Sequence, residues 1–162
     1  MITDLPTSKH ICAEAVRSVH RRGFYDVTPF SKQYPFAADQ YGRLAEEVGE
    51  LIEVSCTMKA DRIAEESADV LIVLCQLAWL HNMLPEELMV GEMTHIISLS
   101  VLQGKLWRAM RKHDNTNVHI LLRTMAIHVR QTARIHDIDI EAAMVAKLTQ
   151  DEKRGVRHGN SG

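Results

Sequence analysis

Apolar and polar positions along the chain follow a helical period almost throughout. Leu44, Val48 and Leu51 recur at spacings of four and three. Val118, Leu121, Leu122, Met125, Val129 and Thr132 do the same, so each stretch presents one apolar face. No run alternates as a half-buried strand would. Glycine and proline are scarce, and the residues between them (Ala, Leu, Met, Glu, Arg) favour helix. The pattern predicts an all-α chain.

Thr7 or Ser8 caps a first helix expected to reach about His20. A loop, "RRGFYDVTPFSKQYP", follows over 21–35. Helices are expected over about 37–58 and 62–81, joined by the turn "KAD". Pro85, at the favoured first position, opens a further helix that runs to about His113, continuous or broken near Gly91. "DNTN" ends it. A helix over about 118–136 and one behind an Asp139 cap, to about Thr149, complete the set. The tail "DEKRGVRHGNSG" reads as irregular.

The pattern also repeats. With His81 laid on His136, "LHNMLPEELMVGEM" matches "IHDIDIEAAMVAKL" without a gap, at an offset of 55 residues. Gln76 then falls on Gln131 and Ala78 on Ala133. Further back, "LAEEVGELI" sits on "LQGKLWRAM" if the second loop is three residues shorter. The expected architecture is a four-helix-bundle core built from two tandem helical-hairpin repeats, the second degenerate, behind an N-terminal helix. The 162 residues then form a single domain, with repeat one over about 37–93, repeat two over about 94–150 and a basic tail over 151–162.

Composition narrows the class. An apolar share of 46% is enough for a core, and a net charge of −2 gives no overall pull toward nucleic acid or membrane. The run "VLIVLCQLAWL" is too short to span a bilayer, and Met1–His20 lacks the apolar segment of a signal peptide. Cys12, Cys56 and Cys75 have no metal or disulfide spacing. Cys56 and Cys75 read as core thiols, so a reducing, cytoplasmic setting is expected.

The charge is unevenly spread, and this carries the chemistry. The stretch 44–74 holds Glu46, Glu47, Glu50, Glu53, Glu65, Glu66 and Asp69, with Asp61 in its joint. No Lys or Arg lies within Leu44–Met58 or within Ile63–Leu80. Glu47 with Glu50, and Glu66 with Asp69, each stand at i, i+3 on one helix face. An antiparallel hairpin sets the two pairs opposite each other. The repeat adds weight: Glu66 falls on apolar Leu121, while Glu47 and Glu50 fall on Lys105 and Arg108. Carboxylates converging near an apolar interior repel and lose hydration unless a cation compensates. Hard divalent ions, Mg²⁺ or Mn²⁺, prefer such oxygen donors. A solvated face is the better reading for Glu53 and Glu65, and an even alternative for Glu46.

"LAEEVGELIEV" followed by "IAEESADVLIVLCQLAWLHN" resembles the signature of the MazG-like, all-α nucleoside triphosphate pyrophosphohydrolases, Glu-Glu-x-x-Glu and then Glu-x-x-Asp on paired helices. The likeness covers roughly 37–93. It implies a Mg²⁺-dependent enzyme (Mn²⁺ as substitute) that cleaves a nucleotide between its α and β phosphates to monophosphate and pyrophosphate. Glu47, Glu50, Glu66 and Asp69 would be metal ligands. Glu46 and Glu47 would be the catalytic carboxylates, Glu46 as a ligand or a group that positions and deprotonates the attacking water. The tail resembles the family's Lys and Arg-x-x-Arg-His-Gly ending, which implies phosphate contacts from Lys147, Arg154, Arg157 and His158. The family often has Asn where this chain has Asp151. Lys105 heads a basic stripe with Arg108, Arg111 and Lys112 that faces either the substrate or solvent. Phe24, Tyr25, Phe30 and Lys32 stand in the loop where the family often contacts substrate. Trp79 and Trp107 read as core or interface, and the histidines as structural.

The expected partner is a nucleoside triphosphate, with no nucleic acid or membrane, and a homodimer is compatible with the pattern. Two other readings stay open: a phosphoribosyl-ATP pyrophosphatase-like enzyme, and a non-catalytic nucleotide- or partner-binding helical module.

Overall fold

The computed structural model describes residues 7–21, 33–92 and 97–154, and these are helical apart from short connections. Six helices follow in order: α1 (Ser8–Arg21), α2 (Gln33–Ser55), α3 (Ala60–Leu80), α4 (Leu99–Arg111), α5 (Asn115–Ile135) and α6 (Ile140–Arg154). A 3₁₀ turn over Pro85–Met89 lies between α3 and α4.

α3 is the axis of the fold. It packs against α1, α2, α5, α6 and the 3₁₀ turn. Its second half, Val70–Ala78, is buried at every position, so this run, apolar except for Gln76, is a helix covered on all sides. The hairpin α2–α3 lies against the hairpin α4–α5 through α3 and α5, and α2 and α4 close the ring. This is the expected all-α bundle. α1 packs outside it on α3 and α6, where Ser8 Oγ donates to Glu141.

The two hairpins share their backbone geometry. Met58 and His113, 55 positions apart, are left-handed at φ 57° and 52°. Asn82 and Asp137, also 55 apart, are left-handed at φ 56° and 54° and end α3 and α5. Each of these ends closes with a bond from the next amide to the carbonyl five residues back, Met83 to Ala78 and Ile138 to Ala133, both at 2.9 Å. The buried positions Leu44, Val48 and Leu51 correspond in phase to Leu102, Leu106 and Ala109, so the three-residue difference falls at the end of α2.

Several expected boundaries are corrected. The stretch from Pro85 to His113 is broken near Gly91, one of its two expected alternatives, and its first part is a 3₁₀ turn rather than an α-helix: the turn stops at extended Val90, Gly91 follows at φ 91°, and Ser98 caps α4 by accepting from the Val101 amide at 3.3 Å. Arg130 Nη2 fixes that exit by donating to the Val90 and Gly91 carbonyls at 2.8 and 3.1 Å. Asp114 caps α5 by accepting from the Asn117 amide at 3.2 Å, so "DNTN" starts a helix as well as ending one. α2 begins earlier, with Pro35 in its first turn, where a missing N–H is tolerated. α6 continues to Arg154, so the tail is helical at its start. Cys56, expected in the core, is exposed because α2 ends one residue before it. Tyr41 and Trp107 meet across α2 and α4 with ring centroids 4.8 Å apart. No helix among the described residues is long and apolar enough to cross a membrane.

Leu74 is fully buried on α3. Leu74→Ala is expected to destabilise the fold by roughly 2–5 kcal/mol in denaturant titration. A loss below about 1 kcal/mol, the scale of a surface change, would contradict the axial place of α3.

Candidate metal centre

Three carboxylates of the α2–α3 hairpin converge. Oxygens of Glu47, Glu66 and Asp69 lie within 4.8 Å of one another. The register follows from the core: Leu44, Val48 and Leu51 point α2 inward and Ile63, Val70 and Leu74 fix α3, so Glu47 and the i, i+3 pair on α3 are turned to the seam between them. Glu66 is buried, 3% exposed, at a position where most Glu side chains would be excluded. Glu50 stands at the rim, exposed, and hydrogen-bonds to Glu66. Glu46 is exposed and is not one of the converging three.

The acids are not left without bases, and this corrects the sequence reading. Arg62, one turn before Glu66, pairs with Glu66 at 2.8 Å and with Glu65 at 3.2 Å. Lys147 reaches across from α6 to Asp69 at 2.7 Å and to Glu65 at 3.7 Å. Arg43, one turn before Glu47, acts on its charge and donates to the side-chain oxygens of Gln40 and Gln76 at 3.5 and 3.4 Å. Gln76 in turn donates to the Ala15 carbonyl at 3.2 Å. Arg62 lies just outside the base-free stretch, and Lys147 is close only in the fold.

Even so, the positive charge falls short. Burial first, then the charges of Asp69 and Glu50, push the Glu47 carboxyl up to about 7, with Glu66 adding to them and Arg43 opposing. Burial first, then the hydrogen bond and charge of Glu50, push Glu66 up to about 7, with Asp69 adding and Arg62 opposing. Burial also raises Asp69, against the bond and charge of Lys147, while Asp151 and Glu65 add to the rise. For Lys147, burial works to lower the value, but the bond and charge of Asp69, then Glu65 and Asp151, outweigh it and hold the ammonium more firmly protonated. A hard divalent cation fits such a set: oxygen donors only, on two rigid helices, with a deficit of compensating charge.

Of the other expected site residues among those described, Lys147 joins the cluster and Arg154 and Lys105 lie apart from it. Lys147 is engaged by Asp69 and Glu65. Arg154 is exposed at the last residue of α6. Lys105 is exposed on α4, which packs on α5 and α2 and not on α3. Arg157 and His158 lie outside the described residues, as do Phe24, Tyr25, Phe30 and Lys32. Two residues near the centre were missed by sequence reasoning, Arg62 and Arg43, and Asp151 was noted only as a departure from the family's Asn. Asp151 is 9% exposed, one turn after Lys147 on α6. The i, i+4 spacings 62–66, 43–47 and 147–151 were the available signal.

No family model matches the chain, and no curated protein or solved structure matches it either.

The raised carboxyls set a pH dependence. A carboxyl held above its unfolded value binds its proton more tightly in the fold. Its favourable contribution is complete below the ordinary value of 4.5 and is lost as pH rises through about 7. With chelator present, the melting temperature is therefore expected to fall between about pH 5 and pH 8. Glu47→Gln should flatten that fall, raising the melting temperature at the upper end by roughly 2–4 °C for each kcal/mol relieved. A wild-type curve rising through the window would contradict the crowding.

Proposed function

We propose that the chain is a metal-dependent nucleoside triphosphate pyrophosphohydrolase, cleaving between the α and β phosphates to release monophosphate and pyrophosphate. The observation that carries the proposal is the convergence of Glu47, Glu66 and Asp69 within 4.8 Å from the two helices of one hairpin. This is the arrangement that the likeness to the MazG-like pyrophosphohydrolases implies. The carboxylates themselves would repel a triphosphate, so the reaction needs a cation between them and it.

A bound Mg²⁺ or Mn²⁺ supplies charge to the triphosphate and acidifies the attacking water. Glu47, Glu66 and Asp69 would hold it, with Glu50 beside them. Glu46 and Glu50 stand one turn apart on α2 and are both exposed, so either can take a proton from a water at the mouth of the seam. Their solvent contact lets the proton leave. Arg154, with Arg157 and His158 beyond it, would meet the outgoing pyrophosphate.

A second reading has an observation behind it. Arg62 and Lys147 already pair with Glu66 and Asp69, as they would in a cluster that serves structure alone. That favours a non-catalytic nucleotide- or partner-binding module.

One experiment separates the two. The protein is incubated with each common NTP and dNTP, dUTP included, with and without Mg²⁺ or Mn²⁺, and products are resolved by chromatography. The expected products are monophosphate and pyrophosphate, formed only with metal. Asp69→Asn and Glu50→Gln are expected to lower turnover by roughly 100-fold or more, the scale of losing a group that acts in the transition state, with the helical circular dichroism unchanged. Undiminished turnover in both variants would refute the site, and no turnover in the wild type would favour the binding module.

A further inference from the structure

We propose that Lys147 is a built-in second cation, so that the carboxylate centre takes one divalent ion and not two. The inference rests on the metal reading above and deepens it, because it fixes the number of ions and names the residue that sets it.

Two-metal centres hold their ions roughly 3.5–4 Å apart, with a carboxylate shared between them. The carboxylates here are numerous enough for that. Beyond Glu47, Glu66 and Asp69, the seam between α3 and α6 adds Glu65, from the turn before Asp69, and buried Asp151. Asp69 belongs to both groups. It is one of the three oxygens that converge within 4.8 Å, and its Oδ2 also accepts from Lys147 Nζ at 2.7 Å. Glu65 Oε1 stands 3.7 Å from the same nitrogen, and the Asp151 charge acts on both Asp69 and Lys147. Asp69 is thus shared between two positions, as a bridging carboxylate would be. One position is open to a free ion, and the other is filled by an ammonium.

The ammonium is well suited to stay. It is a compact, strongly hydrated charge, close in character to a hard metal ion. Its side chain is only 14% exposed, which separates it from a surface lysine that swings between partners. It is also tethered through α6, which packs along α3, so no dilution or chelator removes it. A divalent ion entering the same place would have to expel that charge or sit beside it at a few ångströms, where like charges repel strongly in a half-buried site. Arg62 does not play this part. Its side chain is 54% exposed and reaches Glu66 and Glu65 from the solvent side.

The test counts Mn²⁺ alone, without nucleotide. Equilibrium dialysis and electron paramagnetic resonance are run on wild type, Lys147→Met and Lys147→Arg. The wild type is expected to bind one ion per chain, with the spectrum of an isolated Mn²⁺. Lys147→Met is expected to bind two, with the broadened spectrum of a spin-coupled pair. Lys147→Arg, which keeps the charge, should remain at one. Lys147→Gln, which keeps a donor for Asp69, makes the same test should Lys147→Met fail to fold, and is also expected to bind two. Two ions in the wild type, or one in the folded neutral variants, would overturn the inference while leaving the metal centre standing. No ion in the wild type would overturn the metal reading itself, and this inference with it.

Discussion

Three carboxylates cannot share a half-buried seam unless positive charge shares it with them. That repulsion is the constraint to which the rest of the molecule responds. Glu66 is the extreme case, buried on a helix whose second half, Val70–Leu80, is apolar except for Gln76. The fold sustains it by concentrating its packing energy elsewhere on the same helix. α3 packs against four other helices, and every position from Val70 to Ala78 is buried. The first half of α3 is therefore held in place by its second half, and the acids are fixed in an arrangement that they would not adopt by their own interactions. A strained polar cluster supported by a well-packed core is the usual way a protein keeps a site that opposes its own stability.

The second hairpin shows the same backbone without the conflict. α4 and α5 reproduce the left-handed turn positions at a spacing of 55 residues. Yet Leu121, in the place of Glu66, simply packs against the core, and Lys105, in the place of Glu47, is exposed. Acid is therefore not demanded by the helix geometry. The two hairpins are also interlocked. The 3₁₀ turn that follows α3 packs on α5, and α6, which follows α5, packs on α3. Lys147 and Asp151 reach the acids of the first hairpin by that exchange. The centre is assembled from both halves of the chain, although every converging carboxylate comes from one of them.

Much of this was legible in the residues. The helical period gave the all-α class, and the facing i, i+3 pairs on α2 and α3 gave Glu47, Glu66 and Asp69, because the hydrophobic stripe fixes which way each helix turns, while Glu50, the fourth member of those pairs, stands exposed at the rim. The break between Pro85 and Leu99 was less legible. Pro85 is equally at home in the first turn of an α-helix or a 3₁₀ turn, and only the extended Val90 and the positive φ of Gly91 decide it. The partners of the acids were least legible. A search for bases along a window finds neighbours in sequence, and Lys147 is a neighbour of Asp69 only after α6 has folded back onto α3. Glu46 and Glu47 are adjacent, and a helix turns them about 100° apart, so a motif that treats them as a pair cannot tell which faces the seam.

The distribution of cations around the cluster locates where charge is still lacking. Asp69 has Lys147, and Glu66 has Arg62. On Glu47 Arg43 acts to lower the value, while burial and the charges of Asp69, Glu50 and Glu66 outweigh it. The protein has thus neutralised the α6 side and the solvent side of the cluster with its own residues, and left the α2 side underprovided. A cation gains most where the uncompensated field is strongest, at the point where Glu47 faces Glu66 and Asp69. It would sit next to the exposed edge of α2 that carries Glu46 and Glu50, on the side open to solvent. The same imbalance gives the cluster a direction, with Lys147 fixed on its α6 side and Glu47, the less compensated carboxylate, on its α2 side.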